Sequence, residues 1–292
     1  MSEKTLREVK NMEKIRIITD SASDIGSFRQ ENLTVLPMTI RFGEAEYLDG
    51  VTIGHREFYE KLIESEELPH TSLISPQDFE SAYQKAVAAG EKAVVVTLSG
   101  KLSGTFQSAA IAAADFPGDV FVVDSRNAAI GEQVLVRYAL ELAEEGRSAE
   151  EIAATLTRER EHIHLIGLLD TLEYLKKGGR ISKSVAFVGG MLAIKPVVTV
   201  KDGEVVMLGT ARGSKNGNNF LIKEIESTSG IDFSRPICLG YTGLNDTLLR
   251  KYMQDSAFLW EPHTDSLNVC TIGATIGTHV GPNAIATAFF CK

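Results

Sequence analysis

The chain has 292 residues, 43% hydrophobic and 24% charged, which is enough to bury one large core or two ordinary ones. Its formal charge of −9 excludes the basic footprint of a DNA- or RNA-binding protein and gives no general attraction to anionic membrane surfaces. The longest apolar candidate, residues 185–194, is interrupted by Gly189-Gly190 and falls short of the ~20 residues of a transmembrane helix, so no stable membrane insertion is expected.

Residues 1–13 are charged, lack the apolar centre of a signal peptide, and are expected to form a flexible arm. The three cysteines, Cys238, Cys270 and Cys291, are too widely spaced for a disulfide framework or a zinc site. They suit a reducing cytoplasm, which is the expected location.

Lys14 to Thr19 predicts a first strand, ending in Asp20-Ser21-Ala22-Ser23-Asp24, short polar residues that build turns or face a ligand. Leu33 to Phe42 predicts a second strand region broken at Pro37, and Thr52 to Glu64 a helix with Phe58, Tyr59 and Leu62 on one face. Pro69 to Pro76 reads as a loop. Ser75-Pro76 then opens a helix over Gln77 to Ala89, with proline at the first helical position. Ala93 to Leu98 is Val-rich and predicts a strand covered on both faces. It delivers Ser99 to Gly104 to an Ala-rich helix over Thr105 to Asp115, with Ser103 expected as the N-cap. Asp119 to Asp124 predicts a strand and Ala128 to Glu145 a helix closed by Gly146. Ser148 to Glu151 matches a capping box that starts one more helix.

Strands alternating with helices predict a mostly parallel sheet flanked by helices over residues 14–161. Ligands of such sheets lie beyond the carboxyl ends of the strands, which places Asp20-Ser21, Thr71-Ser72, Ser99 to Gly104 and Asp124-Ser125 on one rim. The pattern changes after residue 161. His162 to Leu168 predicts a strand, Asp170 to Lys177 a short helix stopped by Gly178-Gly179, and Val197 to Val200 with Glu204 to Leu208 a hairpin through Asp202-Gly203. Helices around Asn219 to Glu226 and Asp246 to Met253 flank a strand at Ile237 to Tyr241. A final strand over Val269 to Ile276 leads into a loop at 277–283. The expected fold class is therefore α/β, with a second, α+β domain over residues 162–292.

The chemistry-bearing residues leave several readings open. Ser103 and Gly104 at a helix N-terminus suit an anion, because free amides and the positive end of the dipole converge there. His279 stands among Gly277, Gly281 and Pro282, where backbone can approach a ligand closely. Pairing Ser99 or Ser103 with His279 would give a lipid or ester hydrolase. The spacing is not the Gly-x-Ser-x-Gly elbow, however, and no acid is evident to orient the histidine. A carrier of some small carboxylate is a third reading. His162 and His164 alternate on a strand without a third ligand, so no metal is expected. No phosphate-binding Gly-x-x-x-x-Gly-Lys-Ser/Thr loop is present, so the chain itself is not expected to be a nucleotide-driven kinase.

Six motifs occur in order: Ile18-Thr-Asp-Ser-Ala-Ser-Asp24, His70-Thr-Ser72, Leu102-Ser-Gly-Thr-Phe-Gln-Ser-Ala109, Tyr174-Leu-Lys-Lys-Gly-Gly-Arg-Ile-Ser182, Ile194-Lys-Pro196 and Thr278-His-Val-Gly-Pro282. Together, from Lys14 onward, they resemble the DegV family of bacterial fatty acid-binding proteins. The resemblance implies a non-catalytic carrier that holds one long-chain fatty acid between two domains and presents it to a separate fatty acid kinase, which makes an acyl phosphate for phospholipid synthesis. No cofactor is implied. Thr71 and Ser103 match the hydroxyls that bind the carboxylate, and His279 a histidine beside that head group. Ser99 and the Gly104 amide are expected to join them. An acyl slot is expected along Phe187, Val188, Met191, Leu192 and Ile194, and Arg180, Arg212 and Lys215 are candidate kinase-docking residues. Three positions depart from the family pattern: Gly100 for a second serine, Ile74 for a proline, and Asn283 for a glycine.

Overall fold

The computed structural model describes residues 13–26, 28, 30–182 and 194–292. The chain runs β1 (Ile15–Asp20), β2 (Leu33–Leu36), β3 (Thr39–Phe42), β4 (Ala45–Leu48), α1 (His55–Glu64), β5 (His70–Ser72), α2 (Pro76–Ala88), β6 (Lys92–Thr97), α3 (Thr105–Ala113), β7 (Val120–Asp124), α4 (Ala129–Glu144) and α5 (Ala149–Glu159). It continues through β8 (Ile163–Leu168), α6 (Glu173–Lys177), β9 (Ile194–Lys201), β10 (Glu204–Arg212), α7 (Gly213–Ser227), β11 (Cys238–Tyr241), α8 (Thr247–Asp255), α9 (Ala257–Trp260), β12 (Asn268–Thr271), α10 (Ala274–Val280) and β13 (Ile285–Phe290).

Strands β2-β1-β6-β7, in that order, form an all-parallel sheet, as the alternation of strands and helices predicts. Val94, Val95 and Val96 of β6 are wholly buried, because helices cover both faces. Two of the capping signals act as read. Ser75 accepts the Asp78 amide ahead of Pro76, and Ser148 and Glu151 form a reciprocal capping box. A second, six-stranded sheet has the order β10-β9-β8-β13-β11-β12, antiparallel except for the β11–β12 pair. The turn joining β9 to β10 places Asp202 at φ 52° and Gly203 at φ 84°, the left-handed pair a tight hairpin needs. A small antiparallel sheet, β4-β3-β5, completes the fold.

Helix α4 lies between the two large sheets, touching β1 and β6 of one and β8, β11 and β13 of the other. Ile130, Val134, Leu135, Val136, Ala139 and Leu140 are all buried, so its apolar residues run round the whole helix rather than along one stripe.

Three expectations need correction. The stretch read as a loop from Pro69 to Pro76 contains β5, which pairs with β3 (Ile40 opposite Thr71). The stretch read as a strand over Val269 to Ile276 with a following loop is instead β12 and helix α10, with β13 after it, unrecognised in the sequence and central in its sheet. The β-branched residues there favour a strand, but distant carboxylates supply a helix N-terminus. Asp49 accepts the Ala274 and Thr275 amides at 3.1 and 3.0 Å, and Asp24 accepts the Gly273 amide at 2.7 Å. Finally, α7 begins at Gly213, six residues before the expected start at Asn219.

Candidate functional site

A cavity with roughly 950 Å³ of space free of atoms, its open mouth included, lies where the β6–α3 loop, β5, α10 and the inner strands of the six-stranded sheet meet. Its polar lining is small. Thr199 donates its hydroxyl to the Leu165 carbonyl and Thr275 to Asp49, so both are spent on the scaffold. That leaves Thr71, Ser103, Arg180 and His279 as the polar groups, among aliphatic neighbours that include Leu165, Val198, Val205, Ile276 and Ile285.

Thr71 and His279 meet directly, with 2.9 Å between Oγ1 and Nε2. The other ring nitrogen, Nδ1, is buried with no hydrogen-bond partner among the described residues. It faces Gly178, where a Cβ would stand 2.4 Å from it. Burial, with lesser contributions from the Arg180 and His70 charges, holds the His279 pKa down at about 4, so the ring is neutral at pH 7. A buried orphan acceptor costs less than a buried orphan N–H. The favoured tautomer therefore carries its proton on Nε2 and donates to Thr71, which leaves the Thr71 hydroxyl hydrogen free for a ligand.

Ser103 sits one residue before the position the structure assigns as helix cap. Gly104 is the cap of α3 and makes no side-chain bond. The Ser103 hydroxyl nevertheless accepts the Thr105 amide at 3.3 Å and lies 2.9 Å from Thr105 Oγ1. Arg180 joins the two halves of the polar end. Its Nε donates to the Leu102 carbonyl at 3.2 Å, beside Ser103, and its Nη1 to the Gly178 carbonyl at 2.6 Å, beside His279.

The expected site residues thus divide. Thr71, Ser103 and His279 line one cavity, whereas Gly104 and Ser99 do not. Ser99 is wholly buried and donates to the Gly203 carbonyl at 2.7 Å. Of the other rim residues, Asp20 accepts the Ala22 and Leu98 amides, and Asp124 accepts those of Gly100 and Arg126. Arg180, expected at a docking surface, is a cavity residue, while Arg212 and Lys215 are exposed at the start of α7. Phe187, Val188, Met191 and Leu192 lie outside the described residues. Ile194 begins β9 away from the cavity lining. The apolar wall comes instead from β8, β9 and β13, the inner strands of the six-stranded sheet.

The departures at 100 and 283 have local reasons. A Cβ on Gly100 would stand 3.2 Å from Asp124 Oδ2 and 3.1 Å from Phe106, which leaves little room for a second serine. Asn283 takes φ 60°, a conformation asparagine tolerates better than most side chains. Ile74 is buried in the core beside α2.

Among the described residues no group of three His, Cys, Asp or Glu side chains could hold a metal ion. No described helix is long and apolar enough to cross a membrane.

Comparison with known proteins gives a consistent result. The sequence model of the DegV family, described as uncharacterised proteins, matches residues 14–292. A DegV domain-containing protein of Caldanaerobacter subterraneus is 35% identical, over 95% of this chain and 99% of its own length. The structure of a DegV family protein of Thermus thermophilus, described by its fatty acid binding, superposes with a TM-score of 0.85 at 34% identity, covering 96% of this chain and all of the other. The Streptococcus pneumoniae fatty acid kinase B3 protein, loaded with linoleic acid, shares the fold at a TM-score of 0.83 and 23% identity, covering 96% and 100% of the two chains.

Proposed function

Because the chain belongs to the DegV family, we propose that it is a non-catalytic cytoplasmic carrier that binds one long-chain fatty acid and presents it to a separate fatty acid kinase. The carboxylate lies at Thr71, Ser103 and His279, and the ligand sits between a domain of residues 14–161 and one of residues 162–292. The observation that carries this reading is the make-up of the cavity, in which one contiguous polar group (Thr71, His279, Arg180, Ser103) faces an otherwise aliphatic chamber. That is the chemistry of an anionic head with an apolar tail. The fatty acid binding described for the Thermus thermophilus relative supports the same ligand class.

The neutral His279 orients Thr71 as a donor, Ser103 offers a second hydroxyl, and the Arg180 guanidinium favours an anion. Each methylene taken out of water contributes about 0.8 kcal/mol, so the tail dominates affinity and the polar end fixes direction. A carboxylate oxygen held at the open end is what a kinase needs to form the acyl phosphate.

The hydrolase reading fares worse. His279 Nε2 is committed to Thr71, Nδ1 faces Gly178, and neither has a serine hydroxyl as partner. A ring whose pKa is held at about 4 is also a poor general base at pH 7.

Native mass spectrometry of the freshly purified protein, with organic extraction, tests the proposal. A near-stoichiometric long-chain fatty acid, lost or reduced in a T71A/S103A variant, is the expected result. An unliganded mass that does not shift on addition of oleate or palmitate would overturn it.

A further inference from the structure

Ser99 does not line the cavity, yet every hydrogen-bonding group it has is in use. Its amide donates to the Asn127 carbonyl at 2.8 Å, and its own carbonyl accepts the Leu102 and Ser103 amides at 3.0 and 3.1 Å. Its hydroxyl accepts the Lys101 amide at 3.2 Å and donates to the Gly203 carbonyl at 2.7 Å. The residue is wholly buried. The loop that carries Ser103 is therefore wound around Ser99, and the bond from the Ser99 hydroxyl crosses to the tip of the β9–β10 hairpin. Gly203 is matched to that contact. Its φ of 84° is one that side chains rarely adopt, and a Cβ there would stand 2.6 Å from Ser99 Oγ.

The two sides of this contact are also two sides of the cavity. Leu98, Leu102 and Ser103 line it from the loop, and Val198, Val200 and Val205 from the hairpin. Beside the contact, Ile181 makes a parallel bridge to Val205, and Arg180 donates to the Leu102 carbonyl. The hairpin is thus seated against the head-group loop at a few points, of which Ser99–Gly203 is buried and has no water to replace it.

We propose that Ser99 is a positioning residue, whose bond to Gly203 keeps the hairpin seated on the Ser103 loop and thereby sets how fast a ligand enters and leaves the cavity. This rests on the carrier reading above for the identity of the ligand, but not for the joint itself. Without the hydroxyl, the Gly203 carbonyl and the Lys101 amide lose their buried partner. The seam then opens more often, while the groups that contact the head remain in place.

The test compares the full-length protein with S99A, and follows cis-parinaric acid, an intrinsically fluorescent long-chain fatty acid, by stopped flow. Entry and exit should both accelerate about tenfold with an equilibrium affinity that changes far less, since a factor of ten corresponds to the loss of one modest hydrogen bond. General loosening of the fold would instead lower the affinity together with the melting temperature. Unchanged entry and exit rates in a folded S99A protein would overturn the proposal. G203A gives an independent check. Its methyl collides with Ser99 Oγ, so it should perturb the wild-type background more than the S99A background, and equal effects in both would count against the joint. If the wild-type protein binds no parinaric acid, the carrier reading fails, and the joint is judged by amide hydrogen exchange on the unliganded protein. S99A should speed exchange at Lys101 and at residues 203–205, and exchange unchanged there would overturn the joint as well.

Discussion

Thr71, on an edge strand of the smallest sheet, and His279, in the last turn of α10, are 208 positions apart and meet at 2.9 Å. The contact depends on two other elements. Asp49 and Asp24 hold the start of α10, and Gly178 leaves room for the imidazole. In T71V, which keeps the shape but removes the hydroxyl, affinity for a long-chain fatty acid should fall about ten- to hundredfold, the range for a bond to a charged group. Isothermal titration at pH 7 measures this, and unaltered affinity would remove Thr71 from the head-group site.

Gly178 and Gly281 make opposite predictions for binding and stability. A methyl on Gly178 would lie 2.4 Å from His279 Nδ1, so G178A should displace the ring and weaken binding while melting close to wild type. Gly281 has φ 73° and a would-be Cβ 2.4 Å from the Tyr174 ring. G281A should cost roughly 2–4 kcal/mol of stability from overpacking and backbone strain together. Urea titrations of both variants, set beside their affinities, separate the two roles.

Buried acids beneath the site predict an unusual response to pH. Glu132 is wholly buried, accepts the Thr19 hydroxyl at 3.1 Å on Oε1, and has no partner for Oε2 among the described residues. Burial, reinforced by the nearby Asp20, raises its pKa well above the usual range. Burial likewise raises Asp24 strongly and Asp20 to about 7. These groups keep protons in the folded chain that the unfolded chain has released, so their contribution is complete at low pH and declines as pH rises. His279 has the reverse sign, with stability regained as pH climbs from about 4 to 6.5. Above about pH 7.5 the His279 effect is complete and the decline from the buried acids remains, reinforced by the raised Cys270 and Cys291 thiols, at up to about 1.4 kcal/mol per pH unit for each retained proton. E132Q mimics the protonated side chain, so it should flatten that decline. A slope identical to wild type in chemical denaturation would show that Glu132 is ionised in the fold.

The cavity wall offers a control on tail length. A Cβ on Gly167 would meet Val198, Ala286 and the Ile285 carbonyl at ordinary distances of 3.7–3.8 Å, all three residues being cavity neighbours. G167A should therefore fold normally, and G167V should shift the preferred fatty acid toward shorter chains. A competition series of acids of increasing length reads this out. A preference unchanged in G167V would mean that the tail runs elsewhere.

The parallel sheet and the hairpin of the six-stranded sheet were legible because their signals are local: a Val-rich run for β6, Ser75-Pro76 and Ser148-x-x-Glu151 for two helix starts, Asp202-Gly203 for the hairpin. The motifs likewise led to Thr71, Ser103 and His279, which do line one cavity. What escaped depends on distant partners. Residues 274–280 carry a strand-like composition and become helical under Asp49 and Asp24, more than 220 positions away. Ile285–Phe290 holds two alanines and a threonine, too weak a local signal for a strand whose stability comes from β8 and β11 on its two sides. Ser99 was read as a ligand hydroxyl because nothing in the sequence places Gly203 beside it.

Helix α4 also bears on how the sequence can drift over generations. Gln133 holds the Ser23 and Asp24 carbonyls with its amide nitrogen, while its Oε1 accepts from Cys238 and Asn268. One side chain thus ties the turn after β1 of one large sheet to β11 and β12 of the other, and most of the helix is buried between the two sheets. A substitution on β1 or β6 changes which α4 residues are tolerated, and that change passes to β8, β11 and β13. Residues that never touch become mutational neighbours, so the two halves of the molecule are expected to evolve as a pair rather than to be exchanged singly between relatives.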